Sequence, residues 1–358
     1  MDAAELRSEF GVLERIAYLN AGTAGPWPRA ATAAEREVLD AMERDGRSDG
    51  YFARGSELRA RLRAAYAALL GAEPAEVALT ASTSDGIARV LVGLGLGAGD
   101  EVLTSQGEHP GLLGPLGAAA AQRGVVVREV PLARIAEEVG ARTRLVACSH
   151  VHWATGELAP ALRGPDVPVL LDGAQGAGAV AVRVRELGCA FYAASGQKWL
   201  CGPVGTGMLW IDPAWWERVV PPGPTFLNLA APNDGLDAAL QPDARRHDAP
   251  GVGAERCAAA LAAHDVLASG GWDAIHARAT GLADTLARAL ADAGHEVLPR
   301  SATTLVTWRA ANAPSRRARL AERGVVVRDI PGRPWLRAST GAWNDTHDLE
   351  RLLDALGG

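Results

Sequence analysis

Lysine is almost missing from this sequence. Of its 36 Lys+Arg residues one is lysine, Lys198, which leaves 35 arginines. Arginine supplies charge and hydrogen bonds nearly anywhere, so the surface loses little by the exchange. What a guanidinium cannot do is act as a nucleophilic primary amine of adjustable pKa. Chance retention is one account of the survivor. A covalent role for it is the other.

Further scarcities narrow the field. The four cysteines, Cys148, Cys189, Cys201 and Cys257, show no CxxC spacing, which argues against a disulfide scaffold and suggests a reducing compartment. No uncharged apolar run approaches the roughly 20 residues that span a bilayer. Met1 to Leu6 has neither a basic n-region nor an apolar h-region. A cytoplasmic protein without membrane contact is expected. A formal charge of −6 and the lack of a basic cluster speak against a nucleic-acid surface. There is no GxSxG elbow and no GxxxxGK loop. The glycine-rich Gly93–Gly99 follows a helix and precedes a strand, the reverse of the dinucleotide fingerprint.

What is present reads as an α/β protein of 358 residues, long enough for two domains. Short apolar strands at 77–80, 101–104, 125–130, 145–149, 167–172, 191–195 and 206–211 are spaced by helical patterns. That alternation implies a mostly parallel sheet covered on both faces. Helices are expected at 1–16, 28–44, 55–70, 87–94, 114–123, 253–268 and 272–293. A Pro- and Asp-rich excursion fills 213–250. Strands at 296–298, 304–308, 325–328 and 335–338 with helices at 314–323 and 346–356 suggest a smaller α+β unit. The expected division is an N-terminal segment (1–16) packing with the small domain, a large domain (17–250) and a small C-terminal domain (251–358).

Two residues bring chemistry into this frame. Asp172 ends an apolar strand, where open α/β sheets present side chains to ligands; capping the next turn is the plainer role. The following strand leads to Lys198. A pyridoxal phosphate site needs this pair, a lysine for the Schiff base and a carboxylate that keeps the pyridine nitrogen protonated.

The segment Ser195-Gly196-Gln197-Lys198-Trp199-Leu200-Cys201-Gly202-Pro203 resembles that of the class V aminotransferase family. This is the fold-type I pyridoxal-phosphate group of cysteine desulfurases, cysteine C–S lyases and isopenicillin N epimerase. The resemblance runs from about Tyr18 to the C-terminus. It implies a large α/β/α domain with a smaller α+β one, bound pyridoxal 5′-phosphate, an amino-acid substrate and a homodimer. Thr83 and Ser84, in Ser82-Thr83-Ser84-Asp85-Gly86, resemble the family's phosphate cup, although such residues also simply cap helices. Ser195 and Gln197 would join them; many relatives have His at the latter position. His109 in Glu108-His109-Pro110 resembles the histidine that stacks on the cofactor ring, and loop histidines are otherwise often just solvated. Asp172 would pair the ring nitrogen and Gln175 the phenolate oxygen. In Ser149–Gly156, His152 and Trp153 stand where relatives often carry an Asn near that oxygen. His150-x-His152 lacks a third ligand, so no metal site is read. Arg337, in Arg337-Ala338-Ser339, resembles the arginine that clamps the substrate α-carboxylate. Asn20 to Gly25 resembles the loop lining the substrate side, and Trp153 also falls there. Where relatives often lend a phosphate-binding threonine from the partner subunit, this chain has His247–Gly251, so backbone near Gly251 would make the contact.

One departure bears on the reaction. Desulfurases carry a sulfur-accepting cysteine in a loop before the Arg motif, and Val327–Pro334 has none. A C–S β-lyase acting on cysteine, cystine or an S-substituted cysteine is therefore expected. Epimerisation comes next and transamination third, with persulfide-forming desulfuration disfavoured. A binding protein on a retired enzyme fold is the non-catalytic alternative. The specificity side is expected among Trp27, Trp153, Trp335, Trp343 and the 221–250 excursion.

Overall fold

The computed structural model describes residues 1–162 and 167–357. Its strands, in chain order, are β1 (Ala17–Tyr18), β2 (Val77–Thr80), β3 (Glu101–Ser105), β4 (Val126–Val130), β5 (Thr143–Ser149) and β6 (Val169–Asp172). They continue with β7 (Phe191–Ser195), β8 (Gly207–Ile211), β9 (Leu305–Arg309), β10 (Val325–Val326), β11 (Arg328–Asp329) and β12 (Trp335–Ser339). The helices are α1 (Ala3–Ser8), α2 (Arg29–Asp45), α3 (Asp49–Leu70), α4 (Thr83–Gly93) and α5 (Pro110–Arg123). After them come α6 (Ala254–Ala268), α7 (Trp272–Asp292), α8 (Ala313–Glu322) and α9 (Thr346–Gly357).

Seven strands form the main sheet in the order β2-β8-β7-β6-β5-β3-β4. The strands from β4 through β3, β5 and β6 to β7 are parallel, and β8 runs antiparallel to β7 and β2. Because side chains alternate across a strand, each one feeds two cores. Val169 and Leu171 of β6 pack on the side of α3 and α6, with Leu62, Tyr66 and Cys257. Leu170 points the other way, to Ile87 and Val90 of α4 and Leu112 and Leu116 of α5. Burial of each such side chain contributes roughly 1.5–3 kcal/mol. The result is a mostly parallel sheet between two helical layers.

The C-terminal part builds a second, antiparallel sheet of order β11-β12-β9. Leu282, Leu286 and Leu290, one turn apart on α7, cover it together with Leu320, Leu349 and Leu352.

Several elements differ from the sequence reading. Helix α5 starts a turn early, at Pro110, because the His109 side chain caps it. Helix α3 begins at Asp49, and the 1–16 helix is a short α1 followed by a 3-10 turn over Gly11–Glu14. Residues 296–298 form an isolated bridge, Val297 to Trp308, in place of a strand. The 325–328 strand divides: Val325–Val326 pairs with β1, and Arg328–Asp329 pairs with β12.

That pairing also moves Ala17 and Leu19 from the expected large domain into the C-terminal core. Conversely, Ala254, Cys257 and Leu261 of α6 join the core beneath α3. The N-terminal segment is tied to the last helix by Arg7, which bonds Asp348 at 2.7 Å. Asp166 and its neighbours at 163–166, just before the expected 167–172 strand, lie outside the described residues.

Candidate active site

The carboxyl ends of β3, β5, β6 and β7 share one edge of the sheet, the edge at which open α/β folds hold ligands. A cavity of about 230 Å³ opens there, lined among others by Thr23, Thr83, Ser84, His109, Asp172, Ser195, Gln197, Lys198 and Arg328. Residues far apart in sequence and expected to cooperate are thus brought together.

One wall is an anion cradle. Ser82 caps α4 by accepting the Asp85 N–H at 3.1 Å, so Thr83 and Ser84 occupy the first turn. Their backbone N–H groups have no acceptor within the helix. Thr83 Oγ1, Ser195 Oγ and Gln197 Oε1 are buried without a partner. Leaving one such group unpaired costs about 1–3 kcal/mol. Three in one cavity fit a ligand with several acceptor oxygens, such as a phosphate, once the Gln197 amide turns its donors inward.

Asp172 and Lys198 line the same cavity. The carboxylate uses Oδ1 to accept the Ala174 N–H at 2.9 Å, so it does cap a turn, and this occupies one oxygen. Burial, helped by Glu108, pushes its pKa up to about 6, against the pull of Lys198 and the Ala174 N–H. A cation at the free oxygen, such as a protonated ring nitrogen, restores the ionised form. Burial lowers the Lys198 pKa to about 8; Asp172 opposes the fall, and Arg337 and Arg328 add to it. This is the direction that frees an amine for nucleophilic attack.

His109 Nδ1 accepts the Gly111 N–H at 2.9 Å, which leaves the ring proton on Nε2. Burial, then Lys198, Arg328 and Arg337, holds its pKa near 4, so the imidazole is neutral. Trp153 meets it edge-on with ring centres 5.0 Å apart. A neutral ring backed in this way suits stacking on an aromatic cofactor.

The substrate side carries two arginines. Arg337 of β12 is fully buried, bonds the Trp153 carbonyl and reaches Thr23 Oγ1 at 3.5 Å, while its Nε has no partner. Arg328 Nη1 donates to the same Thr23 hydroxyl at 3.1 Å. Neither guanidinium pairs with a carboxylate in the described residues. Burial, helped by neighbouring Arg328, lowers the Arg337 pKa to about 9. A buried charge without a counter-charge is costly unless a ligand supplies one. Lys198 and Arg328 against Asp172 make the cavity lining net positive, and Arg337, behind Thr23 and outside the lining, adds to that sign.

Other expected contacts are arranged differently. Asn20 does not line the cavity; its Oδ1 accepts from Thr23 Oγ1 at 2.8 Å and so orients the residue that does. Gln175 donates from Nε2 to the Gly22 carbonyl at 2.7 Å and accepts from Trp199 Nε1 at 3.0 Å, which leaves one N–H for a ligand. Gly251 is exposed and absent from the cavity lining, so within one chain it makes no contact there. Its segment is anchored by Asp248, which pairs with Arg63 at 2.6 Å and accepts the Leu79 N–H. His150 bonds Tyr192 at 3.0 Å, and His152 bonds Thr155 and the Gly107 carbonyl, so the two histidines do not converge. Trp27 bonds Thr32 at the surface and Trp343 is buried against Phe10, both away from the cavity lining.

Thr23, Arg328 and Glu108 were not singled out by sequence. Glu108 accepts from Ser105 Oγ, Ser149 Oγ and the Ser149 N–H, tying the ends of β3 and β5 beneath His109. Arg328 follows the apolar run Val325–Val327 and stands nine residues before Arg337, a signal hidden among 35 arginines.

Comparison with known proteins agrees with this geometry. Isopenicillin N epimerase of Streptomyces clavuligerus is 29% identical across 99% of this chain and 98% of its own. A probable cysteine desulfurase of Pseudomonas aeruginosa is 33% identical across 79% of this chain and 78% of its own. The cystine C–S lyase C-DES, solved with its reaction product cysteine persulfide, superposes with a TM-score of 0.91 at 27% identity, covering 97% and 98% of the two chains. A C-DES mutant with glycine covalently linked to its PLP cofactor gives 0.92 at 26% identity over 98% of each. The family model for aminotransferase class-V matches residues 17–351, from β1 beside the substrate loop to the last helix. Every wall of the cavity falls inside that match, and the chain belongs to the class-V aminotransferase family.

Proposed function

We propose that this protein is a pyridoxal-phosphate-dependent β-lyase that breaks the Cβ–S bond of a cysteine-type amino acid. The observation that carries this is Lys198 and Asp172 in one cavity beside buried Arg337, whose Nε has no partner. Thr83, Ser84, Ser195 and Gln197 hold the cofactor phosphate, Asp172 its ring nitrogen, His109 its ring face and Lys198 its aldehyde carbon. When bound, the cofactor serves as an electron sink for the carbanion at Cα. Arg337 grips the α-carboxylate with its planar fork. The Lys198 amine would take the Cα proton. The Cβ–S bond then breaks with its electron pair going to sulfur, and a proton completes the thiol. The remaining enamine hydrolyses to pyruvate and ammonium.

The proton inventory supports elimination. One base suffices for it, whereas inversion at Cα needs a second acid of matched pKa. Of the other ionisable groups in the lining, His109 is held near 4, Arg328 is a guanidinium that keeps its proton, and Asp172 is the partner of the ring nitrogen in this reading. Transfer of sulfur to an enzyme thiol is disfavoured, because no cysteine is among the residues that line the cavity. Epimerisation is the second reading, favoured by the 29% identity to isopenicillin N epimerase along nearly the whole chain. Incubation with L-cystine and S-alkyl cysteines decides between them. Pyruvate with thiol or persulfide release supports the lyase, and inversion at Cα without pyruvate replaces it by the epimerase.

The working unit is a homodimer in which backbone near Gly251 of one subunit reaches the phosphate of the other. Light scattering gives the mass.

A further inference from the structure

A second chamber of about 510 Å³ adjoins the first, and His109 and Arg328 line both. Most of its lining surface is apolar, from Leu132, Trp153, Ile330, Pro331 and Trp335, while Gln106, His152, Thr155, Glu157 and Arg333 supply a polar part. We propose that it receives the side-chain substituent of the substrate, and that Trp335 and Trp153 select a bulky, apolar or aromatic-sized group. The proposal rests on reading the inner cavity as an amino-acid site and adds the substrate class.

Size supplies the first argument. The thiol side chain of free cysteine is a CH₂–S unit, too short to occupy both cavities. A cavity of several hundred Å³ with apolar walls is of the kind that holds small organic groups. Rigidity supplies the second. Trp335 opens β12 in a tight hairpin whose Ile330 N–H donates to the Trp335 carbonyl at 3.0 Å. Trp153 is fixed at both ends, with Nε1 donating to the Gly107 carbonyl at 2.9 Å and its own carbonyl held by Arg337. Trp153, Ala154 and Ile330 form a small buried cluster with Trp335 packed against it. Walls held in this way reject by shape as well as attract. Position is the third argument, since the chamber is reached past Arg328 and His109, where a substituent leaving Cβ would emerge.

The test uses amino acids that bind but lack a β-leaving group: L-2-aminobutyrate, L-norleucine and L-homophenylalanine, titrated into the cofactor-loaded wild-type enzyme by calorimetry. The dissociation constant should fall along the series, by at least about tenfold between the first and the last. Trp335→Ala should abolish most of that gain and leave L-2-aminobutyrate binding unchanged. Trp335→Phe, a milder change that keeps a ring in the hairpin, should retain about half or more of it. A flat series, or tightest binding by L-2-aminobutyrate, overturns the chamber's role and leaves the amino-acid site standing. Equal weakening of all three ligands in both Trp335 variants also overturns it, because that marks a structural effect. Failure of all three to bind wild type overturns the proposal together with the reading beneath it.

Discussion

The Gly25 backbone lies so close to Lys198 that a Cβ added at Gly25 would overlap the Lys198 carbonyl oxygen. The Gly25 N–H also donates to the Gln197 carbonyl at 2.8 Å, so the N-terminal loop is clamped onto the chain that carries the lysine. Gly25→Ala should therefore destabilise the fold by about 1–3 kcal/mol through overpacking and displace the amine. Gly114→Ala is the control, because that helical glycine has nothing within 4 Å of its added Cβ. It should be neutral or stabilising by up to about 1 kcal/mol. Thermal melts and turnover of the two variants separate the cases. Equal behaviour would count against the clamp.

Lys198→Arg keeps the charge and removes the nucleophile. Turnover should drop by at least about 10³-fold, and bound cofactor should lose the absorbance that depends on its link to the protein. With 35 arginines in the chain, this exchange asks directly why one position escaped it. Activity close to wild type would make the surviving lysine an accident of composition.

The depressed Lys198 pKa gives cofactor uptake a pH signature. With a pKa of about 8, roughly one-tenth of the amine is neutral at pH 7, against well under one-thousandth for an unshifted lysine. The neutral fraction rises with pH up to the pKa and then saturates. The rate at which stripped enzyme takes up pyridoxal phosphate should accordingly climb about tenfold per unit below pH 8 and level off above it. A rate still climbing at pH 10 would place the lysine in an ordinary, solvated setting.

How far the sequence reached depended on the distance between partners. Lys198 and Asp172 stood out because one is unique and the other ends an apolar strand, both local signals. The parallel strands were readable for the same reason, since a run such as Val169–Asp172 is buried throughout. Thr23 and Arg328 escaped because they meet across 305 residues. Neither has a motif until the N-terminal loop and the C-terminal hairpin fold over the same cavity. Asn20 shows the intermediate case: its loop reaches the cavity, but the residue that lines it is Thr23, three positions on. Gln175 shows another, since nothing local says that Gly22 and Trp199 will claim most of its amide.

The unpartnered hydroxyls should betray the phosphate site without any assay of chemistry. Thr83→Ala and Ser195→Ala remove groups that have no bond to lose in the cofactor-free protein. Stripped enzyme should melt unchanged or slightly higher. Affinity for the cofactor should fall by about three- to tenfold for each variant, the worth of one hydrogen bond. Affinity unchanged in both would move the phosphate elsewhere.

Arg337 sets function against stability most sharply. Fully buried, with Nε unpaired and a carbonyl and a hydroxyl for company, it holds charge away from water, which is costly without a counter-charge. Arg337→Gln removes that charge while keeping donors for the Trp153 carbonyl and Thr23. The ligand-free enzyme should then be as stable as wild type or more so. Binding should move the other way: removing one partner of a buried charge pair costs about 2–5 kcal/mol, so amino-acid affinity should weaken by about 30-fold or more. The weakening should be confined to ligands that carry the α-carboxylate, with the corresponding amines binding equally to both proteins. If melting and affinity fell together for amine and amino acid alike, Arg337 would be a structural residue and the carboxylate grip would have to be sought at Arg328.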